Sequence, residues 1–324
     1  MSSRHHAPSL CVALFFAPLA WAACGDSGTT ATSGSGGSGG AGTTAATGGA
    51  GTGGMTTTDF VAGGERPVTV MVPPDYDPAV PAPLLILLHG YGATGAIQDA
   101  YFGLEPLAMS NGFVYAHPDG TVDSQQKQFW NATDACCDGF GSGVDDSQYL
   151  IDLVDEIETR VAIDPKRIYF VGHSNGGFMS YRMACDHPDR VAAIVSLAGA
   201  MYLDDGDCKA TSGVSVLQIH GTADETVPYD GGDLYPGHTV PSAETSVADW
   251  AQRDGCDAAL VSTGETNDFD SALDGAESSL SKHEACAAGY DAELWTIEGG
   301  SHIPSLTPAF TETLVAFLLA HPKP

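Results

Sequence analysis

The sequence predicts one α/β domain, a mostly parallel central sheet with helices on both faces. Three observations predict it. Short, continuously apolar runs alternate with segments of helical period, as in sheets covered on both sides. The hydrophobic fraction of 43% is enough for a full core. And the stretch "YFVGHSNGGFMS", Tyr169 to Ser180, passes from an apolar strand through a Gly-rich turn into a helix.

In chain order, the expected strands are 67–73 (PVTVMVP), 83–90 (PLLILLHG), 112–118 (GFVYAHP), 167–173 (RIYFVGH), 192–199 (AAIVSLAG), 214–221 (VSVLQIHG) and 292–300 (AELWTIEGG). Between them, 145–161 places Tyr149, Leu150, Leu153, Val154, Ile157 and Val161 on one helical face, with Asp145 and Asp146 suited to its N-terminus. A second helix follows the Gly-rich turn and stops at Pro188. Ser242 opens a third, and 308–322 forms the last. The polar stretch 263–286 is expected to be an irregular surface excursion.

The N-terminal region divides from this domain by composition. Leu10 to Ala23 is an apolar run too short to span a bilayer, ending in Ala22-Ala23 just before Cys24. Residues 1–24 are therefore expected to be a lipoprotein-type signal in which Cys24 carries the lipid. Residues 25–57 are rich in Gly, Ser and Thr, a composition that cannot bury a core, and are expected to be a flexible tether. The folded domain is expected over 58–324. Its surface carries most of 41 acidic residues against 12 basic ones, a formal charge of −29. Such a surface repels nucleic acid and anionic lipid, so membrane contact is expected only through the lipid. The domain is expected to act as a monomer.

Gly172-His173-Ser174-Asn175-Gly176 puts one Ser between glycines at a strand-to-helix turn. A Ser hydroxyl needs a base to take its proton and donors to stabilise the oxyanion. Later strands supply partners in order. After 214–221 comes Asp224, with Glu225 as neighbouring competitor, and after 292–300 comes His302. The order Ser174, Asp224, His302 is that of the α/β-hydrolases. The oxyanion donors are then expected to be the backbone N–H groups of Tyr91, in "LLHGYGATG", and Asn175. Gly90-Tyr91-Gly92-Ala93-Thr94-Gly95 also fits a dinucleotide-binding G-x-G-x-x-G, with Asp119 near the place of a ribose-binding acid. The export signal and net charge weigh against that alternative, which leaves Ser174, Asp224 and His302 unexplained. No cofactor and no metal are expected. "DDGDCK" (204–209) lacks the spacing and closing Glu of a calcium loop.

The segment "IYFVGHSNGGFMSYRMACDHPDRVAAIVSLAGA", with "LLILLHGYGATG", "FWNA…CC", "VDDSQYLIDLVDEI", "IHGTADETVPYDGG" and "LWTIEGGSH", resembles the poly(3-hydroxybutyrate) depolymerase-like esterases. That group merges with feruloyl and acetylxylan esterases, and the resemblance covers most of 66–321. It implies an α/β-hydrolase fold, with Ser174 as nucleophile, His302 as base and Asp224 as orienting acid. Trp130, His173 and Ile303 are the expected pocket residues. The family's pattern carries an aromatic directly or nearly after the His, in the form H-x-W-P, whereas here the order is His302-Ile303-Pro304-Ser305. Six cysteines fall in the domain, an even number that suits disulfides in an exported protein. The resemblance supports Cys256 with Cys286. Adjacent Cys136 and Cys137 are expected to reach Cys185 and Cys208, in either pairing.

The expected activity is hydrolysis of carboxylic esters, either hydroxyalkanoates or acyl and feruloyl esters on polysaccharide. Peptide hydrolysis on the same fold is the alternative. The chain ends soon after its last helical segment, with no polymer-adsorbing module, so soluble or short esters are favoured.

Overall fold

The computed structural model of the chain describes residues 59–324 apart from Ala288. The expected signal, Cys24 and the Gly-rich segment lie outside the described residues.

A hairpin of β1 (Phe60–Ala62) and β2 (Val68–Val70) leads into β3 (Ala82–Leu88), α1 (Gly95–Phe102), α2 (Leu104–Ser110) and β4 (Val114–Ala116). A small hairpin, β5 (Thr121–Val122) and β6 (Gln128–Phe129), precedes α3 (Asp146–Glu158). Then come β7 (Ile163–His173), α4 (Asn175–Asp186), β8 (Ala193–Leu197) and β9 (Ser215–Gly221). The hairpin β10 (Gly232–Tyr235) and β11 (His238–Val240) is followed by α5 (Ala243–Arg253). The chain closes with β12 (Leu260–Asn267), β13 (Ser278–His283), β14 (Ala292–Ile297) and α6 (Pro308–Ala320).

Eight strands form the main sheet in the order β12-β13-β14-β9-β8-β7-β3-β4. From β14 to β4 every neighbouring pair is parallel, and β13 and β12 add antiparallel at one edge. All seven expected strands are present, each within a few residues of its expected bounds. Alternation along β3 sorts its side chains to two cores. Leu84, Ile86 and Leu88 join α3 and α4 residues on one face, while Leu85 and Leu87 join α2 and α6 residues on the other.

Register places the site. Leu88 pairs with Gly172, Gly172 with Ser196, and Ser196 with Gln218, while Ile297 pairs with Gly221. The carboxyl ends of β3, β7, β9 and β14 are therefore in step. The loops that leave them carry Tyr91, Ser174, Asp224 and His302, where ligands of open α/β sheets bind.

Two expectations are corrected. The polar stretch 263–286 is not irregular, since much of it forms β12 and β13. Backbone ladders need no apolar side chains: β12, the edge, faces water and is kept polar, and β13 beside it buries only Leu280 among its apolar residues, so neither carries an apolar run. Residues between the two strands brace the loop after His302. Asp270 Oδ1 accepts from Ser305 N–H at 2.9 Å, and Phe269 O accepts from Thr307 N–H at 3.0 Å. The cysteines also pair differently. Cys185, near the end of α4, is bonded to Cys208 with Cα atoms 5.0 Å apart, a span that suits a disulfide. That leaves Cys136 and Cys137 to each other, not to Cys185 and Cys208. Cys256 is bonded to Cys286.

Candidate active site

Ser174 sits between β7 and α4 with φ 53° and ψ −122°, a conformation that L residues seldom adopt. Its neighbours explain how so sharp a turn fits. A Cβ on Gly172 would overlap the Gly176 carbonyl, and one on Gly176 would overlap the Leu88 carbonyl. Only glycines let the first turn of α4 press against β3 and β7 this closely.

His302 lies between two partners. Its Nε2 is 2.9 Å from Ser174 Oγ, and its Nδ1 is 2.7 Å from Asp224 Oδ2. A carboxylate can only accept, so the imidazole carries its proton on Nδ1 and Nε2 is free to accept from the Ser174 hydroxyl. The backbone of this loop is held from two sides. His173 Nε2 donates to His302 O at 2.9 Å, and Tyr101 OH donates to Pro304 O at 2.8 Å.

The Asp224 side chain is fully buried. Its Oδ1 accepts from the N–H groups of Thr226 and Val227, both at 2.8 Å, and its Oδ2 faces His302 and, at 3.3 Å, His220. Burial alone would raise its pKa. The hydrogen bonds from His220, His302 and Val227 outweigh that and hold it below the usual carboxylate range. Glu225, the competing acid, is exposed.

The expected oxyanion donors sit on braced backbone. Gly90 O accepts from His89 Nδ1 at 2.8 Å and from Ala93 N–H at 3.1 Å. The same peptide unit carries Tyr91 N–H, so fixing that carbonyl also fixes the direction of the amide. His89 Nε2 accepts from Gly120 N–H at 2.9 Å, which assigns the proton to Nδ1, and burial lowers its pKa, keeping the ring neutral. Asn175 is the first residue of α4, where helix N–H groups have no intrahelical partner. Tyr91 is 45% exposed, and its hydroxyl donates to Asp123 Oδ2 at 2.5 Å. Burial and that bond push the phenol up to about 12.

The expected pocket residues separate. Trp130 is 0% exposed and offers no surface to a ligand. Its backbone holds the Asn175 side chain and its indole N–H donates to His89 O at 3.1 Å, so it belongs under the site, not in its wall. His173 is likewise buried and fastens the His302 loop. Burial, with the adjacent His302, depresses it to about 3, so it stays neutral. Ile303 is 63% exposed beside His302 and is free to meet a ligand.

The glycine loop is not arranged to favour a dinucleotide. Asp119 Oδ1 accepts from Gly95 N–H at 2.8 Å, so the chain's own carboxylate occupies the N-terminus of α1, where a pyrophosphate would bind. Sequence reasoning missed His89, His220, Gln218 and Tyr101. The repeated His-Gly at the ends of β3 and β9, His89-Gly90 and His220-Gly221, was the available signal.

A family model described as Phospholipase/Carboxylesterase matches residues 76–236. The chain is 30% identical over 244 residues to Feruloyl esterase B of Piromyces equi, an alignment covering 73% of this chain and 42% of that protein. It is 30% identical over 175 residues to Poly(3-hydroxyalkanoate) depolymerase C of Paucimonas lemoignei, covering 51% of this chain and 39% of that one. The chain thus spans about two fifths of the length of these two relatives. Among solved structures, the acetyl xylan esterase from Aspergillus awamori superposes with a TM-score of 0.54 at 15% identity, over 81% of this chain and 98% of that one, a likeness of fold. The parallel sheet, the serine turn after β7 and these likenesses give one conclusion: the chain has the α/β-hydrolase fold, and its sequence is similar to esterases and to a poly(3-hydroxyalkanoate) depolymerase.

Proposed function

We propose that this chain is an exported serine esterase. The observation that carries the proposal is the His302 ring held 2.7 Å from Asp224 and 2.9 Å from Ser174. In the proposed reaction, His302 Nε2 takes the Ser174 proton as Oγ attacks an ester carbonyl. The amides of Tyr91 and Asn175 donate to the tetrahedral oxyanion. His302 returns the proton to the departing alcohol, leaving an acyl group on Ser174. Water, activated by the same base, then releases the acid. Asp224 holds the ring in the required tautomer and balances the imidazolium that forms.

The relatives' names support two ester classes, hydroxyalkanoates and feruloyl or acetyl esters of polysaccharide. Export is supported by the apolar N-terminal run and by disulfides such as Cys185–Cys208 and Cys256–Cys286, which persist in oxidising compartments. Lipid attachment at Cys24, followed by the Gly-rich tether, would hold the domain at the cell envelope.

The test is a hydrolysis panel of an aryl butyrate, methyl ferulate, acetylated xylan and hydroxybutyrate oligomers, run beside a fluorophosphonate probe. Turnover of at least one ester is expected, with the probe on Ser174. No turnover together with no labelling would refute the proposal.

A further inference from the structure

The contacts behind Asp224 continue into the core. Gly199 O, which can only accept, lies 2.9 Å from Gln218 Nε2, and Tyr181 OH lies 3.0 Å from Gln218 Oε1. Together they fix which way the Gln218 amide points. The second N–H of that amide faces His220 Nδ1 at 3.0 Å. Nδ1 must therefore accept, and the single proton of a neutral His220 sits on Nε2. That N–H points to Val227 O at 2.9 Å and to Asp224 Oδ2 at 3.3 Å. Tyr181, Gln218 and His220 are all buried, at 0 to 1% exposure, so no water substitutes for these bonds.

We propose that His220 is a positioning residue for Asp224, fixed in its donating tautomer by Gln218. This rests on the catalytic roles proposed above. Tyr181, Gln218, His220, Asp224, His302 and Ser174 form one chain of polar contacts. It starts on α4 and returns to Ser174, the residue immediately before α4, so helix and acid are tied together. His220 does two things at once. It holds the Val227 carbonyl, which closes the turn carrying Asp224, and it gives Oδ2 a second donor opposite His302. Oδ2 is thereby aimed at His302 Nδ1 rather than free to swing, and an orienting acid acts only through that aim. His220 does not touch substrate, so its influence falls on turnover and not on binding.

The experiment compares His220→Leu and His220→Gln with wild type in full steady-state kinetics on an aryl butyrate. Proton NMR of the low-field resonance from the His302–Asp224 hydrogen bond is recorded for each. His220→Leu is expected to lower kcat on the order of ten- to a hundred-fold, the scale of one lost hydrogen bond to a charged group, with KM nearly unchanged. His220→Gln keeps an N–H donor and is expected to recover most of that loss. The low-field resonance should move in the Leu variant and stay near its place in the Gln variant. Wild-type kcat in His220→Leu would overturn the proposal, as would equal losses in both variants with the resonance unmoved, since the ring would then only fill space. Should His220→Leu not fold, Gln218→Leu takes its place, with a loss of kcat and a moved resonance expected and wild-type values for both overturning the proposal. Asp224→Asn and Ser174→Ala run in parallel separate the two claims. If both keep turnover, the catalytic roles are wrong; if both lose it while His220→Leu does not, only the role of His220 is wrong.

Discussion

Asn175 grips both backbone groups of Trp130: its Oδ1 accepts from Trp130 N–H at 2.7 Å and its Nδ2 donates to Trp130 O at 2.8 Å. The residue whose amide is proposed to face the oxyanion is thus anchored by its side chain to the loop before α3. Asn175 Nδ2 also lies 3.6 Å from Cys136 Sγ, so the Cys136–Cys137 loop packs against the same anchor.

Asn175→Ala removes that anchor and leaves two buried backbone groups of Trp130 without partners. A loss of about 2–4 kcal/mol in unfolding free energy is expected, measured by urea denaturation. Turnover should fall about ten- to a hundred-fold even in the folded fraction, because a tilted amide stabilises an oxyanion poorly. Unchanged stability would show that the grip contributes nothing.

Cys256→Ser opens a loop whose two cysteines are 30 positions apart. Chain-entropy arguments put the loss at about 3 to 4 kcal/mol. Non-reducing peptide mapping of wild type should recover Cys185 joined to Cys208 and Cys256 joined to Cys286. A peptide joining Cys185 to Cys136 or Cys137 would contradict the structure.

Asp254 gives a pH prediction. It is buried, its Oδ1 accepts from Val214 N–H at 3.1 Å, and its Oδ2 has no hydrogen-bond partner among the described residues. Burial raises its pKa to about 8. An acid whose folded pKa is raised binds its proton more tightly in the native state. Its stability contribution is complete below the unfolded value of about 4 and declines as pH rises towards 8. Asp254→Asn removes the ionisation. It should raise the thermal midpoint at pH 9 relative to wild type and change it little at pH 4. Equal shifts at both pH values would contradict the assignment.

The parallel strands and the placement of Ser174, Asp224 and His302 at their ends were legible because buried parallel strands read as apolar runs and each proposed catalytic residue follows one of them. β12 and β13 were not: β12 is an exposed edge strand, and β13, between β12 and β14, carries polar residues around the single Leu280, so neither has an apolar run to announce it. The cysteine pairing depended on where the segment after β8 returns to α4, a tertiary relationship that spacing does not encode. His173 looked like a pocket residue because it precedes Ser174, and Trp130 because its segment, FWNA…CC, carries part of the resemblance. Their burial is decided by the packing of the 130–137 loop on α4 and of the His302 loop on β7. The buried pair Gln218 and His220 lay hidden in an apolar strand, where alternation sends two polar side chains to the same side of β9.

The most direct test is the kcat of Ser174→Ala on an aryl butyrate. Removing one hydroxyl costs little packing, so the variant should fold with the thermal midpoint of wild type. In hydrolases of this mechanism, loss of the nucleophile lowers kcat on the order of 10⁶-fold, and the triad acts as a unit. Ser174→Ala is therefore expected to fall to background, and adding His302→Ala should make it hardly slower. A folded Ser174→Ala variant that hydrolyses the ester at the wild-type rate would contradict the assignment of Ser174 as nucleophile.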